Sequence, residues 1–411
     1  MHPDARFAGL SKILATALLV LLAASAWAAP QYKVLHAFTG GNDGGGLWGS
    51  LVIDTYGNVY GTTISGGPKG KGGTVFQLSP QADGSWKHTL LYNFCSQSNC
   101  IDGGGSTAGL MFDPEGNLYG TTRSGGSKIY GTVFRLTPQP IGAWIESVLY
   151  NFPLPGGGCC PYGGVVMDAA GSLYGATYSA FKLSPGAKGW KASVLHNFTG
   201  EHGDGSGPFA GLVWDNVGNL YGTTEGGGVH RAGTVYRLEL TSGGWKEQIM
   251  HSFPASPFDG QVPGVGALLS DAAGNLYGTT NQGGRNTCVD VGCGTIFRLK
   301  PASNGKWEET ILYNFTGKAG GSGPSSGVVM NKAGNLYGVT IAGGTSCGCG
   351  VVYKLAPSSK GQWKYTVLHR FTGSDGAQPD ANLILDSQGN LYGTTATGGT
   401  GGAGVAFELT P

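Results

Sequence analysis

Four side chains in one short stretch are able to do chemistry: His202 and Asp204 in one loop, His230 and Arg231 in the next. An imidazole changes charge near neutral pH, and a nearby carboxylate can orient it or share a cation with it. Such a group could bind an anionic ligand, hold a metal ion or move a proton. The competing account is four solvated polar residues, since loops are ordinarily polar. Trp48 is a fifth candidate, because a loop indole can stack on a sugar ring or simply cover the end of a sheet. No Gly-x-Ser-x-Gly elbow, His-Glu-x-x-His helix, phosphate loop or dinucleotide fingerprint occurs. Catalytic residues are therefore unassigned, and no cofactor or metal is expected.

The chain has eight cysteines. Its first 28 residues read as a signal peptide: Arg6 and Lys12 form a basic leader, Ile13 to Ala24 an apolar run, and Ala26-Trp27-Ala28 a small-x-small cleavage site. The apolar run is short for a membrane span. An exported chain with an even cysteine count points to disulfides. Local bridges Cys95–Cys100 and Cys288–Cys293 are favoured, which leaves Cys159–Cys160 and Cys347–Cys349 as strained small rings. Bridges between neighbouring repeats relieve that strain and stay open. A zinc reading is weaker, since the spacings are not paired Cys-x-x-Cys. A net charge of +1 offers no basic stripe for nucleic acid.

These residues sit on a repeat. Variants of Gly-Asn-Leu-Tyr-Gly-Thr-Thr begin at Gly57, Gly116, Gly171, Gly218, Gly274, Gly334 and Gly389, at intervals of 59, 55, 47, 56, 60 and 55 residues. A period near 50 is the signature of a propeller or repeat array. In the fifth copy, Ala267 to Asp271 is a first strand, a tight turn follows, and Leu276 to Thr280 returns. Thr295 to Leu299 then makes a third strand and Trp307 to Phe315 a fourth. Each strand type occurs seven times, offset so that a lone fourth strand, Tyr32 to Phe38, opens the mature chain. The reading is all-β: a seven-bladed β-propeller of four-stranded antiparallel blades, residues 29–411. The N-terminal strand joins the last blade and closes the ring, which removes an exposed edge. The 78 glycines fit the many turns this needs.

Most repeated residues are read as structure. Asp54, Asp113, Asp168, Asp215, Asp271 and Asp386, with Asn331 in the sixth copy, open the hairpin turns and should accept backbone N–H bonds there. Asp43, Asp102, Asp259 and Asp375 read as turn formers in the loops that follow the fourth strands. The fourth-strand tryptophans and second-strand tyrosines should pack between blades. His36, His196, His251 and His369 share a slot with Tyr92, Tyr150 and Tyr313, so they read as inert packing rings. The third repeat is shortest, with only Tyr178, Ser179 and Ala180 between Thr177 and Phe181. That deletion should leave a notch in the rim beside His202 and His230.

The run Gly-Leu-Val-x-Asp-x-x-Gly-Asn-Leu-Tyr-Gly-Thr-Thr-x-x-Gly-Gly, then Gly-Thr-Val-Phe-x-Leu-x-Pro, then Trp and Leu-Tyr-x-Phe, resembles the bacterial GloVer tandem-repeat (choice-of-anchor) family. A looser likeness is to kelch repeats. The resemblance covers nearly the whole mature chain and implies a secreted or surface-displayed protein, with no activity to carry over. After Phe407-Glu408-Leu409 no anchoring tail is expected. The expected protein is a secreted, periplasmic or cell-surface monomer that binds a carbohydrate or protein ligand at its glycine-rich loop face. The alternatives are a secreted lyase or hydrolase acting on polysaccharide or lactone, and a structural matrix protein.

Overall fold

The computed structural model describes residues 29–69, 71–140, 142–153, 160–256, 258–264, 266–286, 288, 291–303, 305–359 and 361–411. The leader at 1–28 and Cys159 lie outside them. The chain forms seven antiparallel blades around one axis. Blade one is typical: Val52–Ile53, Val59–Thr62, Thr74–Pro80 and Trp86–Asn93, paired in that order. Blade seven is completed by Gln31–Ala37, which pairs with Val405–Thr410 from Gln31 opposite Thr410 to Ala37 opposite Val405. The two ends of the described chain thus close the ring, as the offset of strand types predicts.

First strands are shorter than the sequence suggests; in blade five only Leu269–Ser270 is strand. The residues before it turn their hydrogen bonds elsewhere, as Gly266 N–H donates to the Ser325 carbonyl of the next blade at 3.1 Å.

The hairpin aspartate acts as a plug. Asp54 accepts from the backbone N–H of Tyr56 (2.8 Å) and Asn58 (2.9 Å), the Asn58 amide (2.8 Å) and the Tyr60 hydroxyl (2.9 Å). Gly57 makes the turn possible at a φ of 82°. Asp271 is held by the same set of donors. Burial would raise the Asp271 pKa, but its bonds to Asn275, Tyr277 and Ala273 outweigh that and lower it. The plugged tyrosine then packs edge-on against the tryptophan that opens the next blade's fourth strand. Ring centroids are 6.4 Å apart for Tyr60 and Trp144, and 5.8 Å for Tyr174 and Trp245.

The Gly-Thr-Thr that follows has one job per residue. A Cβ on Gly120 would stand 2.6 Å from Cζ of Phe134, whose ring fills that space. The first threonine clasps the next blade: Thr62 Oγ1 donates to Ala108 O (3.2 Å) and Thr121 Oγ1 to Gly163 O (3.1 Å). The second ties the hairpin to the third strand, with Thr63 and Thr74 hydroxyls 2.9 Å apart.

Three of the expected bridges form locally: Cys95–Cys100, Cys288–Cys293 and Cys347–Cys349. The last closes a two-residue ring through Gly348 at a φ of 67°, with the two Cα atoms 5.3 Å apart. These six cysteines therefore do not cross between blades. Cys160 is a free thiol among the described residues.

Outer strands meet at a second seam, where a ring faces the next blade. Tyr313 stacks on Tyr365 at 4.0 Å and Tyr32 on His369 at 3.8 Å. Between blades one and two the contact is instead acidic. Burial, and then the nearby Asp102 carboxylate, push the Glu146 pKa up to about 7.

Gly120→Ala should cost about 1–3 kcal/mol through overpacking against Phe134. Adding Phe134→Leu should recover part of that loss. Urea melts of both single variants and the double variant check the coupling, and simple additivity would refute it. At the acidic seam, folded Glu146 keeps its proton to about pH 7, whereas the unfolded chain releases it near 4.5. Its stabilising contribution is present below pH 4.5 and lost as pH rises through 7. Melting temperatures should therefore show Glu146→Gln gaining on the parent as pH goes from 5 to 8; an equal offset at both pH values would disprove this.

Candidate functional site

The seven first strands line the axis, and the small residues that precede them leave a cavity of about 560 Å³. Two positions of the repeat supply its chemistry. One lies six residues before each hairpin Asp or Asn: Trp48, Thr107, Tyr162, Phe209, Ser325 and Asp380 all line the cavity. The other directly follows the second strand's Thr-Thr, and from it Glu225 and Ile341 reach the same space. The loops after fourth strands and after second strands thus converge on one mouth. Short pairings between them hold it, such as Gly45 with Ser65, Gly104 with Ser124 and Ala377 with Thr397.

The wall carries two chemistries. Blades three and four present aromatic faces: Tyr162 lies 5.0 Å from Phe209, which meets Tyr178 edge-on at 6.3 Å. Arg123 covers the other side of Tyr162 at 4.5 Å and donates to its hydroxyl at 2.9 Å, so that ring is held in place. Three blades further round, blades six, seven and one present polar groups. Ser325 donates to Asp380, Asn382 Oδ1 accepts from Gly327 N–H at 2.7 Å, and Ser50 Oγ accepts from Asn382 N–H at 3.1 Å. Burial raises the Asp380 pKa against the Ser325 bond, and burial also raises that of Glu225. Trp48 stands at this cavity, 42% exposed.

The five sequence candidates do not form one group. His202 and Arg231 share a shallow depression with Glu201, Gly203, Gly228 and Val229. His230 is exposed on the same loop. Asp204 is committed elsewhere: it accepts from Thr199 N–H (2.7 Å) and Thr199 Oγ1 (2.8 Å), and it lies 3.1 Å from His196 Nε2. It is the fourth-repeat member of the turn-forming Asp-Gly position, since Asp43 and Asp375 accept from Thr39 and Thr372 in the same way. The Phe-Thr-Gly…Asp-Gly spacing carried that signal.

The ring slot shared by His and Tyr is a packing position, edge-on to the phenylalanine two residues on, as with His196 and Phe198 at 4.7 Å. These histidines also stand beside carboxylates. His36 and His369 reach Asp43 and Asp375 at 3.2 and 3.0 Å, and His251 reaches Glu309 at 3.1 Å.

Sequence reasoning picked out Trp48 but missed Tyr162, Phe209, Ser325 and Asp380, although all occupy its position in the repeat. The usable signal was variability: this place changes from Trp to Thr, Tyr, Phe, Val, Ser and Asp while its neighbours stay small.

No curated protein sequence matches this chain. Among solved structures, luciferin-regenerating enzyme is similar at 12% identity over 93% of this chain and 96% of that one, with a TM-score of 0.45. The profile of the Gloeobacter/Verrucomicrobia repeat matches residues 25–187, 178–307 and 289–411. Those three spans run through every blade, and the chain belongs to the Gloeobacter/Verrucomicrobia repeat family.

Proposed function

We propose that this protein is a secreted, monomeric, non-catalytic propeller, one domain from residue 29 to 411, that binds a carbohydrate in the mouth of its central cavity. The observation that carries the reading is the mixed wall, in which Trp48, Tyr162 and Phe209 share one cavity with Ser50, Ser325, Asp380 and Asn382. A sugar ring has apolar C–H faces that suit aromatic planes and an edge of hydroxyls that suits hydroxyl, amide and carboxylate groups. The volume of about 560 Å³ falls within the roughly 300–1,000 Å³ of small-ligand sites. His202 and Arg231 offer a second contact on the rim for an anionic substituent such as a uronic acid carboxylate. Export is supported by the leader and by three disulfides, which suit an oxidising compartment. Among the described residues no helix is long and apolar enough to cross a membrane.

A hydrolase or lyase reading has one observation in its favour: Glu225 and Asp380 border the same cavity, and burial favours their protonated forms. Product analysis of any bound oligosaccharide separates the two readings, since a binder leaves it intact.

A thermal-shift and calorimetric screen of neutral and acidic oligosaccharides should find a saturable ligand, with about 2.7 kcal/mol of stabilisation at 100 times its dissociation constant. Trp48→Ala should weaken that ligand about three- to ten-fold, the worth of one aromatic contact, while the fold is unchanged. His202→Ala should affect only acidic sugars. Binding that survives the joint loss of Trp48, Asp380 and His202 would remove the mouth from consideration, and silence across the screen would turn the search to a protein ligand.

A further inference from the structure

The seam between blades three and four differs from its neighbours. His196 belongs to blade three's outer strand, Lys191–Asn197, and Glu247 to blade four's, Gly244–Ser252. Asp204 comes from the loop that joins the two blades. One ligand-capable atom from each lies within 4.8 Å of the others. At other seams the same position carries stacked rings, as with Tyr313 and Tyr365 or Tyr32 and His369, or a single His–Glu pair as at His251 and Glu309, while between blades one and two it carries Glu146 beside Asp102. At that next seam the loop carboxylate, Asp259, turns back to accept its own Gly260 N–H at 2.7 Å. Among the described residues no second trio of His, Cys, Asp or Glu converges in this way.

The atoms in the trio are available. Asp204 spends Oδ2 on Thr199, which leaves Oδ1 facing His196 Nε2 at 3.1 Å. Glu247 Oε1 is buried with no hydrogen-bond partner.

We propose that His196, Asp204 and Glu247 form a binding site for one divalent first-row transition ion, such as Zn²⁺ or Mn²⁺, which staples blade three to blade four. The donor set selects the ion class: an imidazole nitrogen with two carboxylates suits Zn²⁺ or Mn²⁺, whereas Ca²⁺ and Mg²⁺ take oxygen ligands. The geometry is near what is required. In a tetrahedral zinc site two ligand atoms about 2.0–2.2 Å from the ion stand about 3.4 Å apart, and His196 Nε2 and Asp204 Oδ1 are 3.1 Å apart. Glu247 needs only a side-chain rotation to become the third ligand, and its long side chain allows one. All three groups are partly exposed, so water can complete the coordination shell.

A staple is useful at this seam. The inner clasp made by the first threonine of Gly-Thr-Thr is absent here, because blade three carries Ala176 in that place. Blade three has also lost its long loop, and among the described residues the pairing of loops seen at Gly45 and Ser65 has no counterpart in it.

The test is calorimetric titration of the mature, tag-free protein with Zn²⁺, Mn²⁺ and Ca²⁺ after chelator treatment and dialysis, with melting temperatures taken alongside. Expected is one Zn²⁺ or Mn²⁺ per chain, a melting temperature raised by a few degrees, and no effect of Ca²⁺ at the same concentration. Glu247→Gln and His196→Ala should each weaken the ion at least about ten-fold, while His251→Ala at the next seam leaves it unchanged. Glu247→Gln keeps shape and size, and its melting temperature without metal reports folding independently of binding. No saturable heat with either ion would overturn the proposal, as would stoichiometric binding that Glu247→Gln leaves intact.

Discussion

The carboxylate of the hairpin aspartate couples three scales of the structure. Asp54 closes its own turn through the N–H groups of Tyr56 and Asn58, and it also fixes the Tyr60 hydroxyl. A tyrosine held at its tip is a rigid ring, and that ring is the surface on which the next blade's Trp144 packs. Turn chemistry and blade-to-blade packing are therefore one interaction rather than two. A single four-stranded blade cannot bury both of its faces, so each needs its neighbour on either side. Closure by Gln31–Ala37 removes the last open edge.

With structure assigned to the invariant positions of the repeat, the remaining positions are free to differ. In the six blades where it is described, the residue six places before the hairpin aspartate or asparagine lines the cavity mouth. Its side chains are aromatic at blades one, three and four (Trp48, Tyr162 and Phe209) and polar at blades two, six and seven (Thr107, Ser325 and Asp380). The same division of labour explains the outer seam, where rings, imidazoles and carboxylates replace one another because the slot demands a flat or compact group rather than a particular charge.

Blade three shows what happens when the repeat is shortened. Its second and third strands, Leu173–Ala176 and Ser179–Ser184, are joined by a bare two-residue turn. The loss exposes Tyr178 beside Phe209, and the same blade carries Ala176 where the clasping threonine stands in blades two and four, so its seam to blade four lacks that clasp. An irregularity in a repeat array weakens one interface and opens one stretch of rim at the same time, so the functional and the structural exceptions fall together.

The sequence alone determined the blade count, the four strand types and the offset that closes the ring, and it favoured the local bridges Cys95–Cys100 and Cys288–Cys293 that the structure forms. Each is written locally or recurs seven times, so period and turn chemistry suffice to read it. It also placed Trp48 as a loop aromatic of interest. Only the tertiary structure decided which side chains share a space. It brought Tyr162 and Phe209 to the Trp48 cavity, drew Asp204 away from His202 towards His196, and set Glu247 across the seam from both. The physical reason is that a propeller assembles its sites between blades. His196 and Asp204 are near in the chain, but Glu247 and the residues that meet at the axis come from different repeats, and their meeting is fixed by ring closure and blade packing, which no local pattern records.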